Sequence, residues 1–429
     1  MTRDTQYAIR DTMHLLFLTP QLPHPPRQGT AIRNWGLIKS LSARHIITLL
    51  TFAADSESIT PELRAACQQI ETVLPPRRAA SHRLRDLVFS PLPDLAHRLY
   101  SPEFDSRLIA LFTANQFDTI FVEGLELGRH FFTPENTETI MPVNSVGFVF
   151  FGVKIVFDAH NCETTLQRRA FQTDARNPRR WPAALYSLIQ SRRLARFEAD
   201  VCRRASHVTC VSAEDAAALR TLAPGLNPIV VPNGIFLADY ESPSPGGRGV
   251  GGEGEKPKLV FTGKMDYRPN VDAAVWFATE ILPLIQSEVP AAQFVIVGQK
   301  PVEAVKRLSE RTGVVVTGAV DDARPHIASA AVYVAPLRMG GGTRFKLLEA
   351  MALKRPIVST TIGAEGFAVE NGQELMLADS PADFASAVLA LLHGESKRNA
   401  LSEAGYEFVQ GYDWEQIVPK VEQLLAGAR

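Results

Sequence analysis

The sequence predicts an α/β fold with two halves, each built around a parallel β-sheet. Short runs rich in β-branched residues alternate with helical stretches along the chain, which is the pattern of βαβ units. The 429 residues are enough for two domains. A segment rich in Gly, Pro and Ser, without apolar periodicity, separates the two sets of runs and is typical of a linker.

Eleven runs are candidate strands. Those of the first half lie at 15–19, 45–52, 117–124, 153–160, 207–212 and 228–234. Those of the second half lie at 258–263, 293–298, 314–318, 331–336 and 356–360. Several end in Gly, Ser or Pro, where the carboxyl end of a strand meets a loop. Because open α/β sheets bind ligands at that edge, the residues that follow these strands are the candidates for a site.

Residues 236–257 are predicted to be a linker or insertion, since the run 241–257 has a composition that cannot bury a core. They separate an N-terminal domain, 1–235, from a C-terminal domain, 258–410. Residues 411–429 carry apolar side chains at spacings of three and four. This spacing predicts a closing helix, which we expect to pack back toward the N-terminal domain.

Charge and composition exclude several classes of partner and compartment. Lys+Arg 45 nearly balances Asp+Glu 46, so no overall field attracts nucleic acid. The four cysteines have no zinc-like spacing and are expected to be buried thiols in a reducing compartment. The N-terminal apolar run is too short for a signal peptide, and the apolar stretch 146–157 is too short to span a bilayer. A cytoplasmic protein is expected, with the inner face of the plasma membrane as a candidate location.

The strongest candidate site is MGGGTRFKLLEA at 339–350, where a glycine-rich loop follows a strand and leads into a helix. Glycines let the backbone approach a ligand closely, and helix N-termini bind anions. Arg344 and Lys346 lie at this helix end, although the helix dipole disfavours cations there. A diphosphate would pair with both of them. The alternative is that both side chains extend into solvent beside a flexible loop.

Two further features belong to the same half. Gly263 and Lys264 follow the strand at 258–263, and Lys264 is placed to reach the same phosphates; an exposed loop lysine is the alternative. Glu349 is suited to accept ribose hydroxyls, as carboxylates near nucleotides do. Its alternative is a salt bridge with Lys346, three residues earlier.

Polar residues also follow a strand of the first half. Asp158, His160, Asn161 and Glu163 come at the end of the run 153–160 or just after it. A lone histidine is often structural, but four polar groups after an apolar strand favour a site. Metalloprotease and nucleophile-elbow motifs are absent.

These residues resemble the family-4 retaining glycosyltransferases. The motifs are the proline-rich loop with Gly29, VFDAHNCE, VTCVSAED, VVPNG, FTGKMDYRPN, IVG, VTGAVDD and PLRMGGGTRFKLLEAMALKRPIVSTTIGAEG. The run 336–366 is the most specific. The pair GKMDYRPN and GGGTRFKLLEAMA is most similar to the sugar transferases of bacterial exopolysaccharide gene clusters. The resemblance implies the GT-B fold, with two facing Rossmann-like domains and an interdomain cleft.

The resemblance also implies an activity. The C-terminal domain would bind a nucleotide-diphosphate sugar as donor, and the N-terminal domain would bind a saccharide or lipid-linked acceptor. Transfer would retain the anomeric configuration and need no metal or other cofactor, and it would serve exopolysaccharide or cell-surface glycan synthesis. The alternative is a catalytically silent scaffold that binds nucleotide sugar or glycan. An epimerase would need acid and base groups that the sequence does not place.

Roles carry over to individual residues by this resemblance. The predicted catalytic residues are His160, which would contact the donor sugar, and Lys264 and Arg344, which would bind phosphate. The predicted donor-binding residues are Gly29, Gly263, Lys264, Gly340, Gly341, Gly342, Thr343, Arg344, Lys346 and Glu349. Asp158, Asn161 and Glu163 are predicted to contact the acceptor or the sugar.

The sequence departs from the family pattern at two positions. The first Glu of the family's E-x7-E motif falls on Gly341, and the Lys of its KG pair falls on Pro269. Arg344 and Lys346 are expected to restore the missing positive charge. Recognition of the donor sugar is therefore less well determined by the sequence than recognition of the nucleotide.

Residues 168–204 are strongly basic, with ten Arg against Asp174, Glu198 and Asp200. Trp181, Tyr186 and Leu188 lie among the arginines. This composition predicts peripheral contact with an anionic membrane, where a lipid-linked acceptor would be collected. A solvated helix face with internal ion pairs is the alternative.

Overall fold

A computed structural model describes residues 12–26, 29–55, 57–130, 153–175, 178–240, 256–340 and 344–427. Most of the predicted linker 236–257, together with Gly341, Gly342 and Thr343, lies outside the described residues. The chain divides into two compact units. Unit 1 comprises Met1–Pro232 and Val418–Arg429, and unit 2 comprises Asn233–Ile417.

Unit 1 contains a seven-stranded parallel sheet with the order β3-β2-β1-β4-β5-β6-β7. Its strands are β1 His14–Thr19, β2 Ile46–Phe52, β3 Gln69–Val73, β4 Thr119–Glu123, β5 Lys154–Asp158, β6 His207–Cys210 and β7 Ile229–Val230. Its central strands are buried on both faces, as an apolar run such as Leu15 to Leu18 requires. The order reverses between β1 and β4, where a doubly wound sheet opens a crevice at its carboxyl edge.

Helices connect these strands. They are α1 Gly29–Leu41, α2 Pro61–Ala66, α3 Ala80–Phe89, α4 Asp94–Arg98, α5 Pro102–Ala114, α6 Glu163–Ala175, α7 Trp181–Arg204 and α8 Ala213–Leu222. Short 3-10 helices lie at Leu125–His130 and Pro178–Arg180. Ser and Thr accept backbone hydrogen bonds at the starts of α2, α5 and α8, the usual way to satisfy the first turn of a helix.

Unit 2 contains a six-stranded parallel sheet with the order β10-β9-β8-β11-β12-β13. Its strands are β8 Lys258–Thr262, β9 Gln293–Val297, β10 Val314–Gly318, β11 Val332–Ala335, β12 Ile357–Ser359 and β13 Met376–Leu377. The order reverses between β8 and β11. The loops that follow these two strands therefore border the crevice where such sheets bind ligands.

The helices of unit 2 cover both faces of this sheet. They are α9 Arg268–Trp276, α10 Leu282–Glu288, α11 Glu303–Lys306, α12 Arg324–Ala328, α13 Phe345–Ala352, α14 Pro381–His393 and α15 Glu395–Gln410. The last helix, α16 Trp414–Gly427, begins at the end of unit 2 and continues through the C-terminal residues of unit 1. A π-helical turn, Phe277–Ile281, joins α9 to α10, and 3-10 helices lie at Leu237–Tyr240 and Arg307–Glu310. Phe277 packs on Phe294 and Phe384 in the core.

The expectation of two Rossmann-like halves with parallel sheets is confirmed, and all eleven predicted strands are present. Two strands were missed, β3 and β13, and both lie at a sheet edge. The sequence of β3, QIETV, is half polar because an edge strand faces water. The two residues of β13 are too few to show a pattern.

The C-terminal residues of unit 1 are held by side-chain contacts. The ring of His45, which follows α1, lies 2.9 Å from Glu422 Oε2. Leu424 and Leu425 are buried. The end of the chain is thus part of the packing of unit 1.

The cysteine prediction is confirmed, because Cys67, Cys162, Cys202 and Cys210 are buried free thiols. Burial raises the pKa of the Cys67 thiol to about 12, so it stays protonated and unreactive at neutral pH. Among the described residues, no helix is both long enough and apolar enough to cross a bilayer.

Candidate functional site

Two charged clusters lie at the carboxyl edges of the two sheets, one in each unit. We call them the ionic cluster, made of Arg33, Glu123, Asp158 and His160 in unit 1, and the lysine site, made of Gly263, Lys264, Asn270, Arg344 and Lys346 in unit 2. Each lies where the strand order of its sheet reverses. Such a position is the usual ligand site of a doubly wound sheet.

Strand register assembles the ionic cluster. Glu123 and Asp158 are the last residues of β4 and β5, and they are direct partners in the parallel ladder. Paired residues of adjacent strands point to the same face of a sheet. Arg33 of α1 pairs with Asp158, and its charge also acts on Glu123.

Arg33 and Asp158 form a buried bidentate pair. Arg33 Nε lies 2.5 Å and Nη2 lies 2.9 Å from the two oxygens of Asp158, and both side chains are at most 2% exposed. Thr209 donates a further hydrogen bond of 2.7 Å to Asp158. Burial alone would raise the pKa of Asp158, but the Arg33 guanidinium and His160 hold it well below its usual range. Asp158 is ionised and satisfied from within the protein.

His160 lies at the solvent side of this cluster, with 16% of its side chain exposed. Its Nε2 is 3.0 Å from Glu123 Oε2 and 3.4 Å from Asp158 Oδ2. Burial lowers the pKa of the imidazole, but the hydrogen bonds to both carboxylates raise it to about 10. Because Nε2 is taken up by the carboxylates, Nδ1 is the ring nitrogen that is left for a ligand.

Glu123 was missed by the sequence analysis. It is fully buried, and Asn34, with its amide nitrogen turned toward it, donates to Oε2 at 2.9 Å. Its Oε1 has no hydrogen-bond partner among the described residues. Burial and the charge of Asp158 raise its pKa to about 7. The rule that strand ends supply site residues applies to FVEG at 121–124 and would have indicated it.

The ionic cluster also has the composition of a metal site. Glu123, Asp158 and His160 each offer a ligand atom, and these atoms lie within 4.8 Å of one another. The guanidinium of Arg33 already neutralises Asp158 at 2.5 Å, so a cation would compete with a buried arginine for that carboxylate. The expectation that no metal is needed stays a prediction.

The other predicted residues of unit 1 lie nearby along the chain. Asn161 is half-buried and Glu163 begins α6. The buried carboxylate of Glu198 accepts the backbone N–H groups of Glu163 and Thr164 at 2.8 and 2.9 Å, which caps the helix. Burial and the charges of Glu126 and Glu198 raise the pKa of Glu163 to about 8, so this side chain is protonated near neutral pH. Gly29 is exposed and is the first residue of α1.

Lys346 occupies the centre of the lysine site. It lies in the first turn of α13, and its ammonium group donates to the carbonyl of Thr262 at 2.7 Å and to Asn270 Oδ1 at 3.0 Å. The same Nζ lies 4.4 Å from the centre of the Phe261 ring. A cation at a helix N-terminus is thus stabilised by neutral oxygens and an aromatic face.

The lysine is poorly solvated in this position. Burial, together with the charge of Arg344, lowers the pKa of Lys346 to about 7, and Glu349 opposes that shift. The alternative for Glu349, a salt bridge with Lys346, does not form; both side chains are described, and each is hydrogen-bonded to another partner. The alternative that Lys346 extends into solvent is also excluded.

The loop that follows β8 closes the site from the other side. A Cβ atom on Gly263 would lie 2.7 Å from Asn270 Nδ2 and 3.1 Å from Lys346 Nζ, so only glycine fits beside them. Asn270 Nδ2 donates to the carbonyl of Lys264 at 3.0 Å. Asn270 therefore joins Lys346 to the loop of Lys264, and it is a second residue that the sequence analysis did not assign.

Lys264 itself extends outward, with 40% of its side chain exposed and Nζ 3.6 Å from Asp266. Arg344 lies just before α13 rather than in its first turn, at the N-cap position. Its guanidinium approaches Gly340, where a Cβ would lie 3.0 Å from Nη2. Gly340 has a φ of +108°, a conformation that favours glycine.

Glu349 lies one turn along α13 from Lys346. Its Oε1 accepts a hydrogen bond of 3.3 Å from the hydroxyl of Tyr240. Burial raises the pKa of Glu349, while Tyr240 and Lys346 counter it. The residue as a whole is half-buried.

Comparison with known proteins finds similar sequences over part of the chain. Residues 256–394 match the family described as Glycosyl transferases group 1. Over 208 residues the chain is 31% identical to a phosphatidyl-myo-inositol mannosyltransferase of Propionibacterium freudenreichii, covering 46% of this chain and 50% of that protein. Over 172 residues it is 22% identical to an uncharacterized 44.6 kDa protein in the cps region of Klebsiella pneumoniae, covering 38% and 44%. The chain thus matches about half the length of these curated relatives.

Solved structures share the fold over nearly the whole chain. HepE of Anabaena, in complex with UDP and glucose, superposes with a TM-score of 0.63 at 15% identity, covering 96% of this chain and 99% of that one. Sucrose-phosphate synthase of Thermosynechococcus elongatus gives 0.65 at 16% identity, covering 96% and 98%. S. aureus TarM, in complex with Fondaparinux, alpha-GlcNAc-glycerol and UDP, gives 0.66 at 10% identity, covering 96% and 100%. These matches agree with the two-sheet GT-B architecture.

Proposed function

We propose that this chain, whose residues 256–394 belong to the glycosyl transferases group 1 family, is a glycosyltransferase that uses a nucleotide-diphosphate sugar. The observation that carries the proposal is the position of Lys346. Its ammonium lies against Gly263 at the switch point between β8 and β11, where it donates to two neutral oxygens, the carbonyl of Thr262 and Asn270 Oδ1. A diphosphate at this crevice supplies the anion that the cations of the lysine site require.

The proposed chemistry is electrostatic. Departure of the sugar leaves negative charge on the diphosphate, which Lys264, Arg344 and Lys346 stabilise. We propose transfer with retention, in which the leaving phosphate helps to deprotonate the acceptor, without a metal. Glu349 is proposed to accept the ribose hydroxyls, and His160 to contact the donor sugar through Nδ1.

The acceptor is proposed to be a saccharide or a lipid-linked saccharide, used in exopolysaccharide or cell-surface glycan synthesis. Two relatives support these classes, since one is named for phosphatidyl-myo-inositol and the other for a cps region. The first relative is named a mannosyltransferase, so the first panel of donors includes a mannose donor. The panel also includes UDP-sugars, because HepE was solved in complex with UDP and glucose.

The test incubates the purified chain with UDP-, GDP- and ADP-sugars, with and without membrane lipid extract. Nucleotide release and acceptor glycosylation are the readouts. We expect release from one donor class, strongly reduced in Lys264→Ala and Glu349→Ala. Lys354→Ala is the matched control, because Lys354 is 44% exposed and pairs with Glu403 outside the site.

Three results separate the proposals. Saturable donor binding without turnover across the panel would favour the silent scaffold over the enzyme. Unchanged donor affinity in both site variants would show that the lysine site is assigned wrongly. Activity that is lost on chelation and restored by a divalent ion would overturn the metal-free mechanism.

A further inference from the structure

Helix α3 exposes an unusual amount of apolar surface. None of its ten residues is buried. Leu84, Val88 and Phe89 are 64%, 61% and 81% exposed. A helix of a globular domain normally buries its apolar stripe against the core, and α3 does not.

Two of these side chains form an apolar stripe along α3. With about 100° between successive residues, Leu84 and Val88 lie roughly 40° apart around the helix axis, and Leu87 lies next to Leu84 on the other side. Phe89, the last residue of α3, lies about 140° from Leu84 and adds exposed apolar surface at the end of the helix. Arg83 and Arg85 lie about 100° to either side of Leu84. An apolar stripe flanked by cations is typical of a helix that lies in the interface of a bilayer.

The start of α7 also exposes large apolar side chains. Trp181 and Leu185, one turn apart, are 62% and 59% exposed. Five of the eleven large hydrophobic side chains that are exposed among the described residues therefore lie on α3 and α7. Trp is the side chain that is most typical of the membrane interface.

Contacts hold α3 against α7. Arg193 of α7 donates to the carbonyls of Asp86 and Leu87, at 3.3 and 2.7 Å, and so holds the C-terminal end of α3. Leu84 lines a groove together with Tyr186, the neighbour of Leu185 in the chain. Both helices belong to unit 1.

Charge on this surface is positive where it faces outward. Asp86 and Asp94 are turned inward, 14% and 15% exposed, and each lies within 3.0 Å of Arg78. Arg83 and Arg85 are 61% and 67% exposed, and each also pairs with one of these carboxylates, at 3.7 and 3.4 Å. Three arginines thus face two aspartates, and the excess positive charge lies on the two exposed guanidinium groups of α3.

We propose that the α3–α7 face is a docking surface for a bilayer of anionic lipids. The face consists of Arg83, Leu84, Arg85, Val88, Phe89, Trp181 and Leu185. Its apolar side chains insert among the acyl chains, and its arginines pair with headgroup phosphates. The proposal goes beyond the proposed function, since binding needs neither donor nor acceptor; only the delivery of a lipid-linked acceptor rests on that function.

The experiment measures co-sedimentation of the full chain with vesicles of phosphatidylcholine, alone or mixed with phosphatidylglycerol, at two salt concentrations. We expect binding to the anionic vesicles that weakens with salt. The triple variant Leu84→Ser, Val88→Ser, Phe89→Ser should lower the partition coefficient at least tenfold, since about three large side chains no longer insert. Leu284→Ser, at a 42% exposed position of unit 2, is the control and should bind as wild type does.

The electrostatic part has its own variants. Arg83→Ala and Arg85→Ala should each lower binding to anionic vesicles roughly fivefold, the effect expected for one basic side chain near a charged surface. Arg307→Ala is the matched control, because Arg307 is 69% exposed and lies in unit 2. Binding to neutral vesicles should not change in any of these variants.

Tryptophan fluorescence gives a local readout. The chain has four Trp; Trp35, Trp276 and Trp414 are 8%, 3% and 1% exposed, and Trp181 is the exposed one. Anionic vesicles that carry spin-labelled acyl chains should quench wild-type emission and leave the Trp181→Phe variant unquenched. Because all the substituted side chains are exposed, circular dichroism should show unchanged folding.

Three results would overturn the proposal. The first is that wild type fails to bind anionic vesicles. The second is that the triple variant binds them as well as Leu284→Ser does. Alternatively, size-exclusion chromatography with light scattering finds a dimer that the triple variant dissociates while vesicle binding is unchanged, which would make the face a contact between copies. None of these results bears on nucleotide release from a donor sugar, so failure here is separate from failure of the proposed function.

Discussion

The ionic cluster of unit 1 and the lysine site of unit 2 occupy equivalent edges of two similar sheets, yet they balance charge in opposite ways. In unit 1 the buried guanidinium of Arg33 meets Asp158 at 2.5 Å, and His160 meets two carboxylates. In unit 2 Lys346 donates to a carbonyl and an amide oxygen. The first cluster is completed by the chain's own charges, while the second is suited to take its counter-charge from a ligand.

The difference teaches how to separate structural from functional charges at such an edge. A buried ion pair with several hydrogen bonds mainly resists unfolding, and removing one partner is costly. A desolvated lysine among neutral oxygens contributes little to folding, because its charged form is disfavoured by burial. Substitutions in the two clusters should therefore have opposite signatures in stability and in binding.

The largest expected effect is on the stability of unit 1. Arg33→Met removes the bidentate partner of the buried Asp158 and, among the described residues, leaves only His160, at 3.4 Å, as a cation beside it. This should lower the free energy of unfolding by about 3–5 kcal/mol. Arg307→Met, which removes a pair between exposed side chains, should cost under about 1 kcal/mol. Urea unfolding of both variants measures the difference. A small loss of stability in Arg33→Met would show that the ionic cluster of unit 1 does not mainly resist unfolding.

The next effect is on nucleotide binding by unit 2. Lys346→Met should weaken binding of the preferred nucleotide diphosphate about tenfold to a hundredfold, the range for a hydrogen bond to a charged group. Its free energy of unfolding at pH 8 should stay within about 1 kcal/mol of wild type, because Met fills similar apolar space. Isothermal titration and urea unfolding test both parts. A large loss of stability with intact binding would reverse the assignment.

A smaller effect concerns pH. The pKa of Lys346 is lowered from 10.5 to about 7 in the folded chain, so the unfolded chain holds one more proton between these values. Stability of wild type should therefore rise with pH across this window relative to Lys346→Met. Nucleotide binding needs the charged lysine, so affinity should fall by up to about tenfold per pH unit above 7.

Lys346→Arg sharpens this test. Arginine keeps its charge throughout the range, and affinity should then lose its dependence on pH between 7 and 9, whatever its absolute value. Titration calorimetry in buffers of different ionisation enthalpy should also show proton uptake on binding to wild type above pH 7. The same pH dependence in wild type and Lys346→Arg would assign it to another group.

The smallest effect distinguishes the two carboxylates of the ionic cluster. Glu123 has its pKa raised from 4.5 to about 7, so a neutral amide is a close substitute. Glu123→Gln should change the free energy of unfolding by under about 1 kcal/mol at pH 6. As the pH rises from 4.5 to 7, wild type loses stability relative to this variant, because the folded chain binds more protons than the unfolded chain in this range.

Asp158→Asn is the matched substitution. The pKa of Asp158 is held well below its usual range, so its contribution is present at neutral pH and is lost only as the pH falls through that lowered pKa. The amide should cost about 3 kcal/mol or more at pH 6, since it leaves Arg33 buried without a counter-ion. Equal losses in the two variants would show that the carboxylates are equivalent.

The sequence predicted the parts of this molecule that depend on local pattern. Apolar runs marked eleven strands, and strand ends marked Asp158, His160 and Gly263. The residues that were missed act at long range. Glu123 and Asn270 gain their roles through sheet register and through packing of α9 against α13, respectively. Glu123 carried a local signal, since it ends a strand, whereas Asn270 carried none.

Charge balance was the part that sequence reasoning could not determine. Arg33 lies 125 residues before Asp158 in the chain, and Lys346 lies 84 residues after the carbonyl that it binds. Helix spacing allows a salt bridge between Lys346 and Glu349, which was the alternative to a ribose-binding role for Glu349. The structure excludes it, since Glu349 accepts a hydrogen bond from Tyr240 and Lys346 donates to the carbonyl at the end of β8.

The assignment of Val418–Arg429 to unit 1 has a consequence for synthesis on the ribosome. The residues of unit 2 are contiguous, so this unit can complete its core as soon as it has emerged. Unit 1 is begun first but lacks the partner of His45 until Glu422 leaves the exit tunnel. The N-terminal half of the chain is therefore the last to be finished, and a premature stop near residue 418 should release a protein whose early-made part is the unstable one.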